Sequence, residues 1–124
     1  MIRSFICCAL TIILFVSALP ALAQNTARFF ESLPDIPLME GLTELPSESS
    51  LFDKPEGRIA EVTAAGSDIT FEAVTVYYKQ SLPQFGWQLV KTDPLLFKRD
   101  NEELRLEVIP HGGQTNLRIL ISPR

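Results

Sequence analysis

The chain has 124 residues, 46% of them hydrophobic, with 11 Lys and Arg against 15 Asp and Glu for a formal net charge of −4. That length suits a single domain, and an acid excess without a basic patch argues against phosphate-backbone binding, so nucleic acid is not an expected partner. The only cysteines, Cys7 and Cys8, lie near the start, so the rest of the chain has no thiol for a disulfide, a soft-metal site or a cysteine nucleophile.

The N-terminus reads as a leader. Arg3 precedes the apolar run FICCALTIILFV, and the small-residue stretch SALPALA follows, ending at Ala23. This pattern predicts a secretory signal peptide over 1–23, cut between Ala23 and Gln24. Ala21 and Ala23 supply the small side chains a peptidase requires. The competing reading is an uncleaved anchor, because Phe5–Ala23 approaches the roughly 20 residues that cross a bilayer. Cys7 and Cys8 sit too early for a lipid-attachment site. Cleavage removes 23 of the 124 residues, every cysteine and Arg3, and leaves no membrane span. A short basic segment and a cysteine-free mature chain suit bacterial export, with the periplasm as the expected location.

Residues 24–56 form an acidic, proline-rich stretch. Glu31, Asp35, Glu40, Glu44, Glu48, Asp53 and Glu56 outnumber Arg28 and Lys54, and Pro34, Pro37, Pro46 and Pro55 punctuate it. Each proline disfavours helix at the residue before it, which confines any regular helix to about Asn25–Ser32. Yet Phe29, Phe30, Leu33, Ile36, Leu38, Leu42, Leu51 and Phe52 make the stretch too apolar for disorder. It is expected to be an extended arm lying against another surface.

Residues 57–124 carry clear periodicities. Arg58–Ala64 alternates as a strand. Ser67, Asp68 and Thr70 then offer N-cap oxygens, and Glu72 complements the helix dipole. Phe71, Val74, Tyr78, Leu82 and Phe85 recur every three or four residues, as on a helix packed against a core. Pro83 belongs in a final turn, Gly86 suits a left-handed cap, and Trp87 faces back onto the helix. Trp87–Lys91, Leu95–Arg99, Glu103–Ile109 and Asn116–Ser122 read as strands separated by short turns. Such short connections demand antiparallel neighbours.

The expected fold is therefore α+β: an antiparallel sheet of four to five strands in the order β-α-β-β-β-β, with one helix on one face and the arm before it. The first strand could pair with the last or lie beside the second. Alternation turns Trp87, Leu89, Leu95, Phe97, Leu104, Leu106, Val108, Leu117, Ile119 and Ile121 toward the helix. On the other face, Val90, Leu96, Ile109 and Leu120 would form an apolar stripe, given a suitable register. The arm is the expected cover for that stripe or for the sheet's edge.

The residue inventory points away from catalysis. His111 is the single histidine, and His111-Gly112-Gly113 lacks the G-x-S-x-G elbow that an HGG oxyanion loop accompanies. Glu102 and Glu103 are consecutive, so on a strand their carboxylates diverge and cannot flank a glycosidic bond. Asp53, Asp93 and Asp100 lack the spacing of a calcium loop. Neither a cofactor nor a metal is expected.

The segments LPDIPLMEGLTELP, FDKPEGRI, VYYKQSLPQFGW and FKRDNEELRLEV resemble a group of small, uncharacterised exported proteins of alphaproteobacteria, over nearly the whole mature chain. That resemblance implies no activity and no site residue. More loosely, a helix ending L-x-x-x-G-W before a meander is similar to α+β modules of bacterial envelope lipoproteins, although this chain lacks their lipid-attachment cysteine.

Two functions follow as expectations. The first is a non-catalytic periplasmic interaction or adaptor module, whose unknown envelope-protein partner adds to a sheet edge or meets Val90, Leu96, Ile109 and Leu120. The alternative is a carrier of a small apolar ligand held between helix and sheet by Tyr77, Tyr78 and Trp87. The exported protein is expected to begin at Gln24 when its intact mass is measured; a mass retaining residues 1–23 establishes the anchor instead.

Overall fold

The computed structural model describes residues 27–124. The leader, its Ala23/Gln24 junction and the first residues of the arm lie outside the described part. The fold is α+β, an antiparallel sheet with one helix.

Apart from the edge strand that carries Leu89, which was expected to face the helix but is 42% exposed, the C-terminal strands follow the alternation of the sequence. Strand β3 (Gly57–Ser67) buries Ala60, Val62 and Ala64; β5 (Leu95–Arg99) buries Leu95 and Phe97; β6 (Glu102–His111) buries Leu104 and Leu106; β7 (Gln114–Pro123) buries Leu117, Ile119 and Ile121. Register brings these together, with Val62 opposite Ile119 and Leu106 opposite both Ile119 and Leu95. One face of the sheet is thus a continuous apolar floor, the inner face. Strand β4 (Gln88–Thr92) closes the far edge beside β5.

Helix α1 (Phe71–Ser81) starts at Thr70, whose side chain accepts the Ala73 N–H at 3.1 Å, and it buries Val74 and Tyr78 against the floor. Pro83 falls in a 3₁₀ turn, Leu82–Phe85, that follows the helix. Gly86 ends this turn at φ 88°, a left-handed conformation that glycine adopts without steric cost. The Trp87 N–H then reaches back to the Leu82 carbonyl at 3.2 Å, and the indole is buried. Tyr77 is half-buried on the helix, packed against the core.

The sheet has seven strands rather than four to five. The additional two, β1 (Thr43–Glu44) and β2 (Ser50–Lys54), come from the arm, and both pair antiparallel with β3. They form one interrupted edge strand. A 3₁₀ turn at Pro46–Glu48 separates them, and the Leu45 N–H keeps the ladder alive by donating to the Thr63 carbonyl at 2.8 Å. Pro46 and Pro55 do not prevent pairing because they stand at strand ends on the sheet's edge, where no ladder bond is lost. On its other side β3 pairs with β7, which resolves the position of the strand before the helix: it lies beside the last strand.

The arm also runs differently from expectation. Residues 27–32 contain no helix; Phe29 bridges Pro37, and the chain folds back so that the Leu38 N–H meets the Arg28 carbonyl at 2.8 Å. The Glu44 carboxylate accepts the N–H groups of Glu31 and Ser32 at 2.6 and 3.1 Å, pinning this loop. Phe30, Leu33, Ile36, Leu38 and Leu42 are all buried in the same core as the helix. Tyr78 fastens the two, donating its hydroxyl to the Pro37 carbonyl at 2.9 Å. The described part of the arm therefore covers the inner face beside the helix and contributes to one edge, and none of it lies over the outer face. Close approach depends on Gly66, where an added Cβ would lie 2.6 Å from the Gly41 carbonyl oxygen.

Because Ile36 is fully buried in that shared core, Ile36→Ala is expected to destabilise the whole protein by about 2–5 kcal/mol. The check is a urea titration with a lower midpoint and an unchanged slope. An unaltered midpoint would show that the arm unfolds separately.

Candidate functional site

The outer face of the sheet is built by the odd-numbered residues of β3 and β6 and the even-numbered residues of β7, whose alternation places them opposite the core. Leu120 sits between Glu61 and Arg105, and Arg105 in turn lies opposite Leu96. Glu103 stands between Ser122 and Lys98. At the near edge Phe52 faces Ile59 across the β2–β3 hairpin. Phe52 is 61% exposed, a large value for a phenylalanine on a sheet. Phe52, Ile59 and Leu120, with Ser50, Ser122, Glu61, Glu103 and Arg105, line a groove of about 390 Å³, floored by Ala60 and Ile121.

The four residues read from the sequence as a stripe are scattered. Leu96 and Leu120 share one cross-strand row, but Arg105 stands between them. Ile109 lies opposite Asn116, toward the β6–β7 turn. Val90 falls in a register break between Leu89 and Lys91 on the edge strand β4. The bulge removes Val90 from the alternation that had placed it. What the stripe lacked was Phe52 and Ile59. Their signal was present, as apolar residues on either side of the Pro55-Glu56 turn, but it becomes visible only once that turn is read as a hairpin.

Tyr77, Tyr78 and Trp87 have other engagements. The two tyrosine rings meet edge to face, with centroids 4.9 Å apart. Burial pushes the Tyr78 hydroxyl well above its ordinary range, against the opposing pull of the Met39 N–H; burial also raises Tyr77. Trp87 lies beneath the Arg99 guanidinium, 4.2 Å from its ring centroid. Tyr78 and Trp87 belong to the same core as the arm's Phe30, Leu33, Ile36, Leu38 and Leu42, with Tyr77 packed against it.

A second polar cluster lies at the inner end of the sheet. Arg58 bonds Asp35 through two nitrogens, at 2.7 and 3.2 Å, and Glu102 through Nε at 2.6 Å. Arg99 reaches the same two carboxylates at 2.8 and 3.2 Å and also donates to the Phe85 carbonyl. Each carboxylate thus holds both guanidiniums, joining arm, β3, β5, β6 and the turn after the helix. Burial raises the Asp35 pKa, but hydrogen bonds from Arg58 and Arg99 and the charge of Arg58 outweigh it and hold the carboxyl down to about 2. The chemistry available is that of a clamp, since both acids are committed to arginines. Glu103 diverges from Glu102 onto the outer face, as consecutive strand residues must.

His111 ends β6 and is exposed. Among the described residues no three histidine, cysteine or carboxylate side chains gather as a metal site, and no helix is long and apolar enough to cross a membrane.

Fold and surface together define a small α+β protein with an arm-sealed core and an open, mixed-charge sheet face. No protein-family model, curated protein or solved structure matches the chain.

The Asp35 cluster generates a pH dependence of known sign. Its folded pKa, about 2, lies below the ordinary 3.8, so the stability it adds is complete above the higher value and is lost as pH falls through the lower. Asp35 is 38% exposed, which holds the contribution near the ~1 kcal/mol of a partly screened pair. Urea midpoints are expected to fall between pH 4 and pH 2, and more shallowly in Asp35→Asn, which starts lower at pH 7. Parallel curves for the two proteins would exclude the clamp.

Proposed function

We propose that the protein is a non-catalytic interaction module of the bacterial periplasm, and that its working surface is the outer face of the sheet, where it meets an envelope protein. The observation that carries this reading is the exposure of Phe52 and Ile59 next to Leu120 on a face that neither the helix nor the described part of the arm covers. Clustered exposed apolar groups rimmed by polar ones are the usual mark of a contact surface.

The face is favoured over the edges. Strand β4 is exposed throughout, but its bulge at Val90 and its lysine at position 91 are devices that discourage strand addition. The opposite edge is broken by the 3₁₀ turn at Pro46–Glu48. Charge points the same way. Lys91, Lys98, Arg105 and Arg118 outnumber Glu61, Glu103 and Glu107 on the outer face by one, so the acid excess lies on the arm, the turns and the helix side. Arg118 is bound by Glu61 at 2.7 Å and approached by Glu107 at 3.7 Å.

A photo-crosslinking residue at position 52 or 120, expressed in the exporting bacterium, is expected to trap a discrete partner, whereas one at Gln84 on the helix side traps none. Equal yields from both sides, or trapping from position 84 alone, would overturn the assignment of the face.

A further inference from the structure

We propose that the outer-face groove is a binding site for one long-chain carboxylate, with its acyl chain along Phe52, Ile59 and Leu120 and its head group on Arg105. The proposal rests on the outer face being the working surface. It goes further by naming a ligand.

Charge pairing supplies the first step. Three charged side chains line the groove: Glu61, Glu103 and Arg105. Glu61 is occupied by Arg118, at 2.7 Å. Glu103 stands opposite Lys98 in the ladder but forms no ion pair with it within 4.0 Å. Arg105 has Leu96 and Leu120 on its two sides, and among the described residues no carboxylate lies within ion-pair distance of it. One exposed guanidinium is therefore left without an anion, directly beside an apolar trough. A planar fork of donors matches a carboxylate in a two-point contact.

The floor supplies the second step. Ala60 and Ile121 are direct partners in the β3–β7 ladder, so their backbone polar groups are oriented along the sheet and committed to neighbours. A peptide laid across this floor would find few partners for its own N–H and C=O groups, each costly to leave unpaired. An acyl chain has none to satisfy and needs a single anion-binding group at one end. The volume of about 390 Å³ lies within the roughly 300–1,000 Å³ of small-ligand sites. The groove is also separate from Tyr77, Tyr78 and Trp87, on the opposite side of the sheet.

The test is calorimetric titration of the mature protein with sodium decanoate, laurate and myristate, each below its aggregation concentration, and with dodecanol and dodecyltrimethylammonium as neutral and cationic counterparts. Affinity is expected to rise with chain length by up to about fourfold per buried methylene. Arg105→Gln is expected to weaken laurate at least tenfold while leaving dodecanol unchanged, and Lys79→Gln on the helix side to have no effect. Methyl NMR of the wild-type protein is expected to show laurate shifting Ile59 and Leu120. Any of three results overturns the proposal: no saturable binding, equal binding of laurate by Arg105→Gln, or shifts confined to the core around Val74 and Leu82. Failure here with outer-face crosslinking intact removes the ligand alone; loss of that crosslinking as well removes the face.

Discussion

The structure depends on a mismatch of widths. Six strand positions at about 4.8 Å spacing make an inner face roughly 24 Å across, whereas one helix with its side chains covers only about 10 Å. Helix α1, which lies chiefly over β6, cannot shelter Ala60, Val62, Ala64, Leu117 and Phe97 together. The arm makes up the difference. Phe30, Leu33, Ile36, Leu38 and Leu42 complete the layer, and the Tyr78 hydroxyl joins helix to arm through the Pro37 carbonyl. With no cysteine among the described residues, the fold relies on this burial for its stability.

Which parts were legible follows from what local pattern can encode. The helix, its exit at Gly86-Trp87 and the four C-terminal strands were readable because period, cap and turn residues agree at each boundary. The inner face was readable because strict alternation survives from Leu95 to Ile121. The arm was not, since Pro34, Pro37, Pro46 and Pro55 hide an edge strand whose pairing depends on β3, distant in neither sequence nor space but unreadable from period alone. Val90 was misplaced by a bulge that alternation cannot foresee, and Phe52 and Ile59 were missed as partners because the hairpin joining them went unread. The clamp of Asp35, Arg58, Arg99 and Glu102 brings together residues up to 67 positions apart in the chain, a convergence that only the fold reveals.

The two ionic groupings serve opposite ends. The inner clamp is cross-linked, each arginine shared by two carboxylates, and it ties the arm's turn to the ends of three strands. Arg99 adds a contact with the buried indole of Trp87, so the cluster bridges polar rim and apolar core. On the outer face, the Glu61–Arg118–Glu107 group leaves its neighbours free of strong ties. Removing an inner partner strands a charge against the core, whereas changing an outer one alters the character of a surface.

That contrast bears on why the outer face stays open. The arm carries the spare apolar residues of the chain, and the inner face consumes most of them, leaving Phe29 and, at the hairpin, Leu51 and Phe52 exposed. A sheet face with none of the described residues above it meets water through its own alternation, and here Lys, Arg and Glu occupy most of the rows. Phe52 and Ile59 depart from that rule, and each is a further cost in exposed apolar area without gain to the core. The cost falls near the turn of the β2–β3 hairpin, where both side chains line the groove that holds Arg105. A surface that tolerates such residues beside a guanidinium without an ion pair among the described residues combines apolar area to bury with a directed charge, the two features an amphiphilic partner would use.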